Sequence, residues 1–374
     1  MESKEIREIS LEDLKLYTSN FSNENFIGNF QFGKVFRGKI GDHHVTVKAW
    51  MHQTRYTCFP GDNEIRLQAE LILLTESRIK SHPNLPTLIG YCRQGQLAVV
   101  YDLDPIDTLH NFILRDDFSW LERMRIALQL ACLLQTLHIP PDPIDETNYY
   151  IVRNIDAAHF VLDKDCNLVL CDFGMFTGGS LPEINWEKPR RKRCRRLCGC
   201  YGYIDAFISR TGKVGLIENG NEYVSKEGMH NSLVVVVGIN GIDFQTLYAI
   251  VVYKQSSFGW YPEVDVYAFG VILVGLIAKK VYIVEDQAPY VGKWAKKEFA
   301  IRRSVSGEKV SLVHQSLEED EDFEYADGLA ATNLAMQCLE FVAHDRIFID
   351  EVVEELLKLH VVRDTLRLWI LGRL

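Results

Sequence analysis

A chain of 374 residues with 47% hydrophobic and 25% charged residues has an ordinary globular composition. That excludes disorder as the default reading and leaves length enough for two lobes with separate cores. A net charge of -10 excludes a general nucleic-acid binder, which carries a basic surplus over its domain. The N-terminus, Met1-Glu2-Ser3-Lys4-Glu5, has no apolar export signal, and Glu2 stands where myristoylation requires glycine. A cytoplasmic chain is therefore expected, reaching the inner face of the plasma membrane only through partners. Nine scattered cysteines fit reduced thiols. Cys194, Cys198 and Cys200 cluster, but no nearby fourth Cys or His completes a structural zinc site.

In chain order, residues 1–25 read as an N-terminal flank and residues 26–102 as a small lobe of glycine-punctuated strands. Val45-Thr46-Val47-Lys48-Ala49-Trp50 alternates β-branched residues with others, and Gln96 to Tyr101 is an apolar run of strand length. One helix is expected near Glu64 to Glu76. A larger helical lobe, 103–374, follows. Apolar residues at 121, 124, 127, 130, 131, 134 and 137 predict a buried helix over Trp120 to His138. Tyr267 to Ile277 and Leu329 to Val342 predict two more core helices, and the acidic run Glu318 to Glu324 a solvated loop.

Lys213 to Ser257 stands apart. It holds Leu233-Val234-Val235-Val236-Val237 and a second apolar run, Leu247 to Tyr253. Asn240, Asp243 and Gln245 between the runs argue against a membrane span. Strand, turn, strand is the better reading, with Val-rich edges exposed to aggregation.

The motifs carry the functional reading. Ile151-Val152-Arg153-Asn154-Ile155-Asp156-Ala157-Ala158-His159 is followed by Asp172-Phe173-Gly174. This pair resembles the catalytic loop His-Arg-Asp-Leu-x-x-x-x-Asn and the metal-binding triplet of protein kinases. Tyr17-Thr18-Ser19-Asn20-Phe21, His82-Pro83-Asn84-Leu85, Leu88-Ile89-Gly90-Tyr91-Cys92, Gly202-Tyr203-Ile204-Asp205 and Asp265-Val266-Tyr267-Ala268-Phe269-Gly270 extend the match from about Ser10 to Lys358. Together they resemble plant receptor-like and receptor-like cytoplasmic kinases. The resemblance implies a bilobal α+β kinase fold, with the block 213–257 as an atypical insertion in the second lobe.

What the resemblance implies about the site follows residue by residue. Gly28-Asn29-Phe30-Gln31-Phe32-Gly33-Lys34-Val35 is the phosphate-covering loop; Gly28, Gly33 and Val35 are kept and Phe30 replaces the middle glycine. A side chain there either loosens triphosphate contacts, caps the cleft, or is a bland hairpin tip. Lys48 and Glu70 stand for the strand lysine and its helix partner, and Tyr101 ends the strand that borders the nucleotide. Arg153 is retained in the catalytic loop. Asn154 stands where the catalytic Asp belongs, and losing general-base help is worth roughly 10²–10⁴ in rate. Asp156 replaces a lysine directed at the γ-phosphate, setting a negative charge beside a developing anion. His159 stands where a second magnesium-binding Asn belongs, a poor exchange because magnesium prefers oxygen. Asp172 is intact, so ATP and Mg²⁺ remain implied cofactors in weakened form.

In the activation segment Cys200 replaces a threonine and Ala206-Phe207 replaces Pro-Glu, so Arg346, the usual partner of that Glu, must find another carboxylate or reach water. The basic run Arg190 to Arg196 is either a solvated loop, a contact for an acidic partner, a phosphorylated peptide or anionic lipid, or a nuclear import signal. Ser180-Leu181-Pro182-Glu183 and His159 resemble plant pseudokinases that act as adaptors for intracellular immune receptors. The expected function is a catalytically impaired kinase-like scaffold whose partners are signalling proteins, receptor kinases or immune receptors. The alternatives are a slow Ser/Thr kinase using Asp156 as base and a misassembled gene product.

Overall fold

Alternation along one strand orients the whole first lobe. In β4 (His43–Trp50), Val45, Val47 and Ala49 belong to one buried cluster and Trp50 to another, as the two-residue period of a strand requires. Lys48, two positions before Trp50, shares the Trp50 face. The computed structural model describes residues 6–30, 32–50, 61–140, 149–179, 181–182, 203, 262–282, 290–307 and 309–363, with the backbone of the strands at 195–200, 212–218, 221–222, 232–237 and 248–253.

β4 sits inside a six-stranded sheet with β1 (Arg7–Glu8), β2 (Phe26–Phe30), β3 (Gly33–Ile40), β5 (Thr87–Cys92) and β6 (Ala98–Asp102), in the order β1-β5-β6-β4-β3-β2. The pairings are antiparallel except β1 with β5. The stretch before Phe26 is more than the flank its sequence promised. β1 extends the sheet, and α1 (Leu11–Tyr17), capped by Ser10, buries Leu14 with Ile9, Val45, Val47, Cys92 and Val100. On the opposite face lies α2 (Asp62–Thr75), which matches the expected helix near Glu64 to Glu76.

The second lobe opens with β7 (Pro105–Thr108), α3 (Leu109–Leu114) and α4 (Trp120–His138), the last with the predicted bounds. Ser119 and Glu122 form a reciprocal capping box at its start. The acidic run is more than a solvated loop: Asp320 accepts the Trp120 N–H at 2.9 Å, and Phe323 meets the Trp120 ring edge-on at 5.0 Å. That carboxylate favours the positive end of the helix dipole. β8 (Phe160–Asp163) and β9 (Leu168–Leu170) complete a three-stranded sheet with β7.

The centre of this lobe is α5 (Pro262–Ala278), buried at every position from Asp265 to Ala278. It packs on α4, on α6 (Val291–Ser306) and on α8 (Tyr325–Cys338). The short α7 (Gln315–Glu318) precedes α8, and α9 (Ile349–Lys358) closes against α4. The fold is thus the expected bilobal α+β kinase arrangement. Both core helices read from the sequence are present: α5 contains the expected Tyr267 to Ile277, and α8 starts and ends four residues before the expected Leu329 to Val342. No helix among the described residues is long and apolar enough to cross a membrane.

In the inserted block, β13 (Ser232–Val237) pairs antiparallel with β14 (Tyr248–Tyr253), the expected strand, turn, strand. The expected exposed Val-rich edges are a correction. β13 is flanked on its other side by β11 (Gly212–Glu218) and β14 by β10 (Arg195–Cys200), so the outer strands of this five-stranded sheet are β10 and β12 (Asn221–Glu222). Backbone groups of the Val-rich strands find partners on both sides, which removes the edge hazard. Arg195 and Arg196 of the basic run lie in β10; Arg190 to Cys194, Ala206, Phe207, Ser180 and Glu183 lie outside the described residues.

Candidate functional site

The cleft between the lobes is built from β2, β3, β4, β6, α2 and the segment 150–174. Lys48 on β4 and Glu70 on α2 form an ion pair at 2.6 Å with neither side chain exposed. Tyr101, at the end of β6, donates its hydroxyl to the other Glu70 oxygen. Burial raises the Glu70 carboxyl above its usual range, with Lys48 opposing the shift. The Tyr101 phenol is pushed well above its usual value by burial and then by the Glu70 charge. Lys48 also lies 3.8 Å from Asp172. Sequence alone aligned these groups, and the structure brings Lys48, Glu70, Tyr101 and Asp172 into one network.

Asp172 is held on both oxygens. Oδ1 accepts the Gly174 N–H at 2.9 Å, and Oδ2 accepts the Asn154 side-chain amide at 2.9 Å. His159 Nδ1 stands 3.5 Å from the same Oδ2 and 2.7 Å from the Asn154 carbonyl oxygen. Asn154 and His159 thus converge on Asp172. Asp156 serves a local role: its Oδ1 caps the turn Ala157–His159 by accepting the Ala158 N–H at 2.9 Å. Burial raises its carboxyl, partly offset by His159. His110, buried beside it, is held below the usual imidazole range by burial.

The loop that carries these groups is strained and anchored. Arg153 sits at φ 67°, a left-handed conformation costing a β-carbon residue about 1–2 kcal/mol. Asp265 of α5 holds it there, accepting the Val152 N–H at 2.8 Å and the Arg153 N–H at 2.9 Å, while His138 of α4 meets Asp265 at 3.1 Å. Asp265 was visible in the sequence only as part of a family phrase; its anchoring role needed the fold. The alternation of residue types gave no signal for it.

The phosphate-covering loop closes over Lys48. Gly28 pairs with Val35 and Phe30 with Gly33 across the β2–β3 hairpin. Phe30, 2% exposed, meets the Trp50 ring edge-on at 5.8 Å. The Lys48 ammonium lies 4.6 Å from the Phe30 ring, 4.9 Å from Trp50 and 5.2 Å from Phe173. Such cation–π contacts contribute roughly 0.5–2 kcal/mol each, most where water is excluded. Phe32 stacks under the Arg66 guanidinium at 3.5 Å, and Arg66 Nε donates to the Gly174 carbonyl at 3.2 Å. Of the readings open for Phe30, capping the cleft is the one observed. Arg66, Trp50 and Phe32 escaped the sequence reading. Arg66 lies four residues before Glu70 on the same helical face, the one signal that could have found it.

Arg346 is buried rather than in water, at 3% exposure, and backbone carbonyls are among its partners. Its guanidinium donates to the carbonyls of Glu340 at 2.7 Å, Glu263 at 2.8 Å and Phe341 at 3.3 Å, and it lies over the Tyr267 ring at 5.1 Å. Backbone carbonyls satisfy a planar, five-donor fork as a carboxylate does. Among the described residues no group of His, Cys, Asp and Glu side chains is placed to hold a metal ion.

Residues 21–190 match the family model for the protein tyrosine and serine/threonine kinases. The chain is similar to the probable serine/threonine-protein kinases PBL21 and PBL22 of Arabidopsis thaliana, 28% and 31% identical over 214 residues, 56% of this chain and 51% of each relative. It is also similar to the Arabidopsis thaliana serine/threonine-protein kinase BIK1, 25% identical over 380 residues, 96% of this chain and 78% of the relative. The chain spans about half the length of the first curated relatives it matches. With the cleft, the anchored loop and the Lys48–Glu70 pair in place, the chain is similar over residues 21–190 to the protein kinases, and among them to plant receptor-like cytoplasmic kinases.

Proposed function

We propose that this chain is a plant signalling protein whose kinase fold works by binding partners and has lost phosphate transfer. One observation carries the reading: Asp172, the carboxylate that holds magnesium in kinases, is engaged on both oxygens by the chain's own N–H donors, one of them from Asn154. A catalytic Asp at 154 would repel Asp172 and leave it open to a cation; an amide there binds it instead. Asp156 supports the same conclusion, since one oxygen of its carboxylate caps a turn. Protein kinases as a family bind ATP and Mg²⁺. Were they bound here, Asp172 would have to give up Asn154, and no cation from position 156 would meet the γ-phosphate.

The partners proposed are other signalling proteins, receptor kinases or intracellular immune receptors, reached through the second lobe and the segment around Arg190 to Arg196. The test is phosphate incorporation from labelled ATP with magnesium or manganese, beside Lys48→Ala and Asp172→Ala. A scaffold gives no incorporation above either control. Incorporation abolished by both controls refutes the scaffold and establishes the alternative, a slow Ser/Thr kinase. The repair Asn154→Asp with Asp156→Lys separates them further, because only an impaired enzyme gains rate from it.

A further inference from the structure

We propose that Phe30 and Phe32 are built-in occupants of the phosphate channel, so that the cleft stays closed to nucleoside triphosphates and the Lys48–Glu70 pair is assembled without one. This deepens the scaffold reading of the same cleft and rests on it only for the claim that no transfer follows binding. Lys48, Glu70 and Asp172 each have 0% exposure, with Phe30 at 2%, Trp50 at 2%, Phe173 at 2% and Phe32 at 6%. Phosphate oxygens have no surface of Lys48 to reach while the rings lie over it.

The two loop rings are also seated, one against each of two glycines. A β-carbon on Gly33 would come within 2.6 Å of the Phe30 ring, besides meeting the Ala49 carbonyl at 2.1 Å. A β-carbon on Gly174 would come within 2.6 Å of the Phe32 ring. The space that Gly33 and Gly174 leave without a β-carbon is filled by phenyl groups.

The rings do chemically what the triphosphate does elsewhere. Phosphate would neutralise the strand lysine; here three aromatic faces surround the Lys48 ammonium, and Glu70 supplies the negative charge. Phe32 and the Gly174 carbonyl together hold Arg66, one turn before Glu70, so the loop, α2 and the metal triplet are clasped in one arrangement. The scaffold conformation is therefore a property of the chain alone. A ligand can enter only by lifting the β2–β3 hairpin.

Two readouts on the full chain test this. The first is acetylation of native protein by a water-soluble succinimidyl ester, quantified by mass spectrometry at Lys48 and at Lys39, whose side chain is 53% exposed. Lys48 is expected to react at least tenfold more slowly than Lys39, and Phe30→Gly to accelerate Lys48 at least tenfold. The second is titration with magnesium ATP: no saturation to millimolar concentration in the parent, and at least tenfold tighter binding in Phe30→Gly. Lys48 reacting in the parent at the Lys39 rate overturns the proposal, and this measurement needs no variant to fold. Equal ATP affinity of parent and Phe30→Gly overturns it too. So does a folded variant with Lys48 freed and no gain in ATP binding. Phosphate transfer by an ATP-binding Phe30→Gly protein would instead refute the scaffold reading and leave the plug standing.

Discussion

Replacing Asp265 tests whether the catalytic-loop segment is held by one buried carboxylate. Asp265 is 1% exposed and accepts two backbone N–H groups, from Val152 and Arg153, plus His138. Hydrogen bonds to a charged acceptor contribute roughly 1.5–3 kcal/mol each, so Asp265→Ala removes about 3–6 kcal/mol from the two backbone bonds. Relaxation of Arg153 from φ 67° returns about 1–2 kcal/mol, which leaves a net loss of about 1–5 kcal/mol. Asp265→Asn keeps one acceptor oxygen and should lose about half as much. Against a typical stability of about 5–15 kcal/mol for a folded domain, the Ala variant remains folded but unfolds at clearly lower urea. Urea unfolding followed by circular dichroism reads the midpoint, and limited trypsin digestion reads cleavage after Arg153, which the anchored loop resists. Asp265→Ala within 1 kcal/mol of the parent, or Asn no milder than Ala, would refute the anchoring argument.

Asp156→Asn should stabilise the protein at pH 7. Burial raises the Asp156 carboxyl, so its stability contribution is fully present below the ordinary value of 3.8 and is lost as pH rises through the higher folded value. The amide still accepts the Ala158 N–H, so the gain in melting temperature should shrink to nothing on acidification towards pH 3.8; a gain independent of pH contradicts this. Arg346→Met keeps an aliphatic stem but removes the guanidinium over Tyr267 and leaves the Glu340, Glu263 and Phe341 carbonyls without this donor. A loss of about 3 kcal/mol is expected in thermal unfolding, and less than 1 kcal/mol would show that other donors replace it. Asp320→Ala removes the acceptor at the start of α4. It should cost about 1 kcal/mol, less in 1 M salt, and a salt-independent loss would attribute the effect to packing of Phe323 on Trp120.

Some of this molecule can be read without coordinates. The helix over Trp120 to His138 has the predicted bounds because its apolar positions recur at helical spacing and Ser119 and Glu122 mark its start in the chain itself. Register in the cleft was legible as well: the family phrases placed Lys48, Glu70 and Asp172 in order, and strand alternation put Lys48 on the Trp50 side. Local patterns suffice where the determinant is a neighbour in sequence. The losses at Asn154, Asp156 and His159 are of this kind, since each is a residue type set against a motif.

What only the tertiary structure decided depends on groups far apart in the chain. The carbonyls that Arg346 meets cannot be read from a sequence; Glu340, Phe341 and Glu263 come within reach only once α5 and the segment after α8 are packed. The Val-rich strands looked like exposed edges because strand order is a nonlocal property, and β10 and β11 cover them. Phe30 stood for three readings until its ring was seen over Lys48, with Gly33 leaving the room. Periodicity specifies which face of an element is buried, through the fixed geometry of helix and strand; what that face meets is specified by packing, which sums interactions across the whole chain.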